Sequence, residues 1–473
     1  MSFNKDNKGA GAGARDDTGL NTVSRSDMTR GPILSKLLSL AAPMVGAQVV
    51  QMLYNMTDMF WLGRLGNGPV ASSGAVGMYM WLSVSFMMFG SMGAGIGVSQ
   101  SVGRGDRERA KAFANAAMTL SVALGALYGA VMIIFNRQMI GFFAFRELDV
   151  ANDARKYLVI VSAAIPITYL SSTLSSTFTA SGNSRIPFAC NLVGMSLNIV
   201  LDPVLIFAAG LGITGAAVAT AFGQCVVCTM LIIMMKSHKN RPFEKIRILT
   251  VPRLEDVRQL FKWAAPTCLE SFLFTFLAMT TTRREAFFGA NVVSIARVGS
   301  QIESLTWMVG GAFGSALVTF IGQNFGAKRW DRIKETFRVA MLVMFGYGVF
   351  VSMLMFFLGR QIFMLFLPDP TLTERAVLYM KILAVAQIPM CIEGAVSNSF
   401  RGLGRTIPPA IVNTSCNVLR VIFVYTISAT ALGVNGIWVG VTISHIIKGV
   451  WAYAWYALAD IRRRRANAEA PAS

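Results

Sequence analysis

Long apolar stretches separated by short polar or glycine-bearing joints recur along the whole chain, and most exceed the roughly 18 to 20 residues needed to cross a hydrocarbon layer. A run of that length in lipid must satisfy its own backbone hydrogen bonds, which predicts helices. The pattern gives twelve spans. Six fall near 33–62, 75–102, 112–136, 157–181, 186–209 and 212–235, and six near 257–282, 295–325, 337–359, 378–400, 407–431 and 434–459. The expected fold is an all-α polytopic membrane protein with one six-helix lobe over 33–236 and another over 257–460. A linker at 237–256 joins them, and residues 1–32 and 461–473 are expected as tails.

The two lobes are copies of one unit. A shift of 223 residues lays Ala41-Ala42-Pro43 on Ala264-Ala265-Pro266 and Met56-Thr57 on Met279-Thr280. The same shift carries Gly66 to Gly289, Gln100 to Gln323, Gly103 to Gly326, Arg109 to Arg332 and Lys111 to Lys334. A shift of 221 superposes Ile186-Pro187 on Ile407-Pro408, and Leu211–Gly215 on Leu432–Gly436. Six helices is an even number, so both copies enter the membrane from the same side and the repeats are parallel. Carriers built this way hold substrate between the halves and rock them in turn.

Composition agrees with lipid as solvent: 54% of the 473 residues are hydrophobic and 14% charged, against about a quarter charged in a soluble domain. The net charge of +19 raises nucleic acid as a partner, and the placement of the charge argues against it. With the N-terminus inside, 30 of the 43 Lys and Arg fall in inside segments and 11 in outside ones. That bias predicts both termini in the cytoplasm, with anionic lipid headgroups as the partners of the basic loops. The first thirty residues lack an apolar run leading to a small-residue cleavage site and are expected to be a disordered cytoplasmic tail. All six cysteines lie within spans, Cys225 and Cys228 as a CxxC, and read as packing residues.

Within the spans, Asp58, Asp202, Glu270, Glu393, Arg420, His445 and Lys448 stand out. A charge near the bilayer centre is costly and normally faces the protein interior or a water-filled path. Gln51 and Asp58 are two helical turns apart on one face, as Asn198 and Asp202 are one turn apart. An amide and a carboxylate so placed suit a hard cation. Pro203 has no N–H for the carbonyl of Ile199, so the helix is weakened there, and Pro43 and Pro266 mark paired hinges in the first helix of each repeat. Interhelical polar contacts are the plainer reading of Asp58 and Asp202; two carboxylates sharing a site favour proton loading instead. Glu270 faces two readings, a second cation or substrate site, or a buried ion pair with Glu393, Arg420 and Lys448 as candidate neighbours. His445 reads as a hydrogen-bonded core residue or a titrating group.

The segments "APMVGAQVVQMLYNMTDMFWLGRLG" with Pro43 and Asp58, "SGNSRIP" and "LNIVLDPVLIFAAGLGITGAAVAT" resemble the multidrug and toxic compound extrusion (MATE) transporters over about residues 33–460. The resemblance implies a V-shaped pair of six-helix bundles, acting as a monomer in the cell (inner) membrane without a cofactor, and export driven by proton or sodium entry. It implies a cation site at Asp58, Asn198, Asp202 and Thr220, which would also be the ligands of sodium. It further implies a substrate cavity bordered by Gln51, Tyr54 and Glu270. Some branches carry an Asp near Met390, where this chain has Glu393 one turn later.

The expected function is a cation-coupled antiporter exporting organic, cationic or amphipathic compounds. The runner-up is a lipid-linked saccharide flippase of the same superfamily, whose pyrophosphate cargo calls for a more cationic cavity than Arg420 and Lys448 supply. A major-facilitator carrier matches "GRGDRERAK" only in part, and a membrane enzyme lacks a visible nucleophile-base pair or metal cluster.

Overall fold

A computed structural model describes residues 27–143, 145, 147–237, 243, 250–366 and 370–469. The first bundle consists of α1 (Ile33–Leu65), α2 (Asn67–Gly103), α3 (Arg107–Ile134), the short α4 (Asn136–Gly141), α5 (Leu148–Ala180), α6 (Arg185–Pro203) and α7 (Ile213–Ser237). The second consists of α8 (Leu254–Phe287), α9 (Ala290–Gly326), α10 (Trp330–Phe366), α11 (Pro370–Gly402), α12 (Ile407–Ser428) and α13 (Val434–Glu469). Among the described residues twelve long helices thus form two bundles of six, with α4 as an unanticipated short helix at the α3–α5 corner.

The helices overrun the apolar spans, because polar and charged turns outside the hydrocarbon continue the same backbone. Residues 461–469 of the expected tail prolong α13, residues 27–32 lead into α1 with Met28 buried, and residues 1–26 and 470–473 lie outside the described residues. Among the described residues eleven helices are apolar enough to cross a membrane on composition alone. The twelfth, α8, is 34 residues long but carries Glu255, Asp256, Arg258, Lys262, Glu270, Arg283, Arg284 and Glu285, so its place in the fold comes from its partners rather than from its hydropathy.

Helix boundaries repeat with the sequence. Gly66 and Gly289, equivalent under the 223 shift, have φ of 117° and 110°; this region is open to glycine and strained for other residues, and each separates the first helix of its repeat from the second. The start of α3 is capped by Asp106, whose Oδ1 accepts from the amide of Arg109 at 2.9 Å. Asp106→Ala should lower stability by about 1 kcal/mol, seen as a small fall in the melting temperature of the purified protein with transport unchanged.

Close packing inside each bundle uses small residues, as expected where lipid gives helices no hydrophobic drive to associate. A Cβ on Gly125 of α3 would lie 2.8 Å from the Cα of Pro166 on α5. A Cβ on Gly348 of α10 would lie 2.9 Å from the Cα of Ile388, beside Pro389 of α11. Gly125 and Gly348, like Pro166 and Pro389, are again 223 residues apart.

The first helix of each repeat belongs to both bundles. Ile33, Leu37, Leu40 and Ala41, which precede Pro43, share a core with Phe313, Ala316, Leu317 and Phe320 of α9. Beyond Pro43, Leu62 joins the core of the first bundle with Val76, Tyr157 and Ile206. In mirror fashion Leu260 and Trp263, which precede Pro266, pack with Ala94, Phe113 and Leu174 of the first bundle, whereas Glu270 beyond it bonds within the second. The prolines therefore stand near the points where α1 and α8 change lobes; just past Pro266, Cys268 and Ser271 still reach the Ser85 carbonyl and the Met88 sulfur of α2. Between the lobes α2 and α9 touch backbone to backbone at their C-terminal ends: a Cβ on Gly103 would lie 1.9 Å from the carbonyl oxygen of Gln323, and one on Gly326 2.0 Å from that of Gln100. This is the closed end of the molecule. Toward the opposite end, α1 presents Val49, Leu53, Met56 and Phe60, and α8 presents Leu269, Phe272, Phe276 and Met279, all exposed.

Candidate functional site

The site lies in the first bundle, where α1, α5, α6 and α7 converge. α6 ends at Pro203 and gives way to a π turn, Val204–Ala208, with Ala209 donating to Val204 at 2.9 Å. Such turns recur at functional positions because they redirect side chains within an otherwise regular helix. The carbonyl of Leu205 lies so close to α7 that a Cβ on Gly215 would meet it at 2.7 Å. α6 and α7 are thus pinned together one turn beyond Asp202.

Asp202 is completely buried and Asn198, one turn earlier, is 3% exposed. Both carboxylate oxygens of Asp202, the Asn198 amide oxygen and Oδ1 of Asp58 are buried without a hydrogen-bond partner in the protein. Asp58 comes from α1, close enough for its charge to act on Asp202. Tyr54, one turn before Asp58, meets the Thr220 hydroxyl of α7 at 3.1 Å. Tyr157 of α5 stands near Thr220 and lies in the field of both aspartates. Among the described residues no Lys, Arg or His forms an ion pair with Asp58 or Asp202.

Buried acceptors without donors are costly, and four in one place call for a positive partner. Two carboxylates, an amide oxygen and hydroxyls are hard oxygen donors, suited to sodium or to a proton held between the acids. Among the described residues no cluster of three or more His, Cys, Asp or Glu is placed to hold a metal ion; the donor set here is two carboxylates, an amide oxygen and a hydroxyl, and a proton or a sodium ion fits it. Asp58, Asn198, Asp202 and Thr220 are the residues that would hold it.

The structure brings those four together with Tyr54 and sets Gln51 and Glu270 apart from them. Tyr54, expected beside a substrate cavity, turns into the first bundle toward Thr220, because it sits one turn from Asp58 on the same face of α1. Gln51 donates to Asn55 on its own helix at 3.0 Å. Glu270 lies in the second bundle, where Oε2 is 3.3 Å from Nη2 of Arg401 and Oε1 accepts from Asn413 at 2.6 Å. Its ion-pair partner is Arg401, at the end of α11, and not Glu393, Arg420 or Lys448. Glu393 accepts from Ser397 at 2.5 Å, and Arg420 donates to His445 Nε2 and Ser444 at 3.0 and 3.1 Å.

Two residues escaped the sequence reading. Tyr157 lies at the very start of its span, with no spacing that relates it to α1 or α6. Glu303 was visible as a lone carboxylate in the apolar run of α9; it accepts from Gln387 at 3.2 Å and faces Arg420.

A probable multidrug resistance protein NorM from Thermotoga maritima is 26% identical over 417 residues, covering 86% of this chain and 89% of the relative. A Shewanella oneidensis protein described as an FAD transporter is 24% identical, covering 91% of this chain and 95% of its own. A solved structure described as the outward-facing conformation of a multidrug resistance MATE family transporter of the MOP superfamily superposes with a TM-score of 0.86 at 19% identity, over 93% of this chain and 98% of that one. The MatE family model matches residues 43–204 and again residues 266–426, one match for each repeat. With both halves matched and the twelve-helix fold shared, the chain is a multi-pass membrane protein that belongs to the MatE (multidrug and toxic compound extrusion) family.

Proposed function

We propose that this chain is an antiporter that exports organic, cationic or amphipathic compounds by alternating access, driven by entry of a proton or a sodium ion. The observation that carries the reading is the group of partnerless buried oxygens on Asp58, Asn198 and Asp202. Such a group is stabilised by a cation at hand, and it sits against α1, the helix that changes lobes near Pro43. A cation arriving from the open end relieves the repulsion between the two acids and lets α1 settle against α6 and α7; its loss on the other side reverses the step. One monovalent charge falling through about 100 mV yields about 2.3 kcal/mol, enough for more than a tenfold gradient of a neutral solute.

The closed end marked by Gly103 and Gly326 is then the cytoplasmic end, in line with the Lys and Arg bias of the loops. The carrier works as a monomer in the cell membrane, with lipid headgroups against its basic loops. The relatives' descriptions favour multidrug substrates, and that of the Shewanella protein names a flavin nucleotide, so a test panel includes organic cations and FAD. Purified protein in liposomes, with proton and sodium gradients imposed separately, should move at least one organic cation against its gradient under one of the two. Movement under neither gradient, with binding of a lipid-linked oligosaccharide instead, would overturn the reading.

A further inference from the structure

Gln100, Arg109, Gln323 and Arg332 are repeat-related residues that the cation site does not use. All four meet at the closed end. Arg332, at the start of α10, spreads its guanidinium over three acceptors: Nε donates to Asn324 Oδ1 at 3.2 Å, Nη1 to the carbonyl of Gly31 at 3.0 Å and Nη2 to that of Met28 at 3.2 Å. Those carbonyls belong to the segment leading into α1. Met28 is 3% exposed; its amide donates to Gln323 Oε1 at 3.1 Å, its carbonyl also accepts from Asn324 at 3.2 Å, and Arg329 holds the Thr29 carbonyl at 3.1 Å.

Arg109 does the corresponding work for α8. From the first turn of α3, its Nη1 lies 2.8 Å from Oδ1 of Asp256, a 2% exposed carboxylate in the first turn of α8. Its guanidinium covers Phe113 at 4.5 Å, and Phe113 packs on Trp263 of α8. Between the two clamps each glutamine crosses the seam. Gln100 donates to the carbonyl of Gly402 at 3.0 Å, and Gln323 to that of Ala180 at 2.9 Å.

We propose that Arg109 and Arg332 are paired positioning residues of a gate at the closed end: each fastens the entry of one repeat's first helix to the opposite repeat and so sets how readily the carrier opens on that side. The proposal rests on the alternating-access reading. The partners suit a reversible fastening. Arg332 holds main-chain carbonyls, which water can take over when the segment lifts, and Asp256 gains water in place of Arg109 once the end of α8 is exposed. Both clamps join the helix portion that precedes a lobe-changing proline to the lobe it must leave. Their strength therefore weighs on the closed state alone, and only such a difference shifts a two-state equilibrium.

The test uses the full-length protein in lipid nanodiscs for hydrogen exchange and in liposomes for transport. Arg332→Ala should raise amide exchange in residues 27–32 by about tenfold, the effect of losing a charge-assisted hydrogen bond, and Arg109→Ala should raise it at the start of α8, where the buried Asp256 carboxylate loses its ion-pair partner. Each variant should lower the KM for substrate presented at the closed end while slowing turnover, because more carriers wait open on that side. Arg109→Lys keeps the ion pair and should restore both readings. Arg332→Lys loses the three-pronged geometry and should restore them only in part. Wild-type exchange in both alanine variants, or slower turnover with KM unchanged, would overturn the proposal. Asp202→Asn separates it from the functional reading: that variant should lose transport and keep wild-type exchange at residues 27–32. If the wild-type protein moves no substrate, the antiporter reading fails and the exchange data still decide the gate.

Discussion

Asp202→Asn is expected to abolish cation-driven export while leaving the protein folded and at least as stable as before. Asp202 is fully buried with both carboxylate oxygens lacking a donor. A charge in that state costs several kcal/mol unless a cation or proton accompanies it, so the residue is retained at a standing cost to the fold. Asparagine has the same shape and no charge to compensate. The substitution therefore removes a destabilising feature together with the ability to load and release a positive ion. The paired readouts separate carrier from glue: a polar contact between helices is typically worth about 0.6 kcal/mol, and an amide serves it as well as an acid. Melting temperature unchanged or raised, with transport reduced to background in liposomes under either gradient, is the expected combination. Asp58→Asn should follow in kind. Retained export in both variants would sink the cation site, whatever the stability data show.

Much of this was readable in the chain because spacing along a helix is also position in space. Asn198 and Asp202 share a face by arithmetic, and Pro203 announced the break that appears as a π turn. The pairs Gln100/Gln323, Gly103/Gly326 and Arg109/Arg332 stood out by repetition, although nothing local to them reveals that they face one another across a seam. What remained hidden are relations between distant segments. The change of lobe at Pro43 and Pro266 depends on how two bundles dock, and hydropathy is blind to it, since both halves of α1 are equally apolar. The span near 257–282 was legible as an apolar run, although the charges carried by α8 as a whole keep it out of the eleven helices that qualify on composition. The contact of Tyr54 with Thr220 was not legible, because a helical face can be read from sequence whereas the neighbour it meets cannot. The Gly125/Pro166 and Gly348/Pro389 pairs obey the same 223 shift and show that the repeat also runs through the packing of the third and fourth long helices.

A methyl group on Gly103 or Gly326 should prop the closed end open. The Cβ of residue 103 would stand 1.9 Å from the carbonyl oxygen of Gln323 and 2.6 Å from its carbonyl carbon; that of residue 326 would stand 2.0 Å from the carbonyl oxygen of Gln100 and 3.0 Å from the amide of Arg104. These neighbours are main chain held in helices, so no rotamer change relieves the clash, and the backbones of α2 and α9 must part. Overpacking of this kind costs about 1 to 3 kcal/mol. Once the lobes have separated the methyl meets nothing, so the cost falls on the closed state alone and biases the equilibrium by about 5-fold to 150-fold toward opening at that end. Each transport cycle must pass through closure there, so turnover should fall by a comparable factor while the cation site stays intact. Gly77→Ala, where no atom lies within 4 Å of the added carbon, should change neither quantity. The double variant should fall short of the sum, since both methyls part the same pair of helices. Spin labels flanking the seam would read the separation directly, and wild-type distances with wild-type turnover in both single variants would show that the touching ends of α2 and α9 do not form the gate.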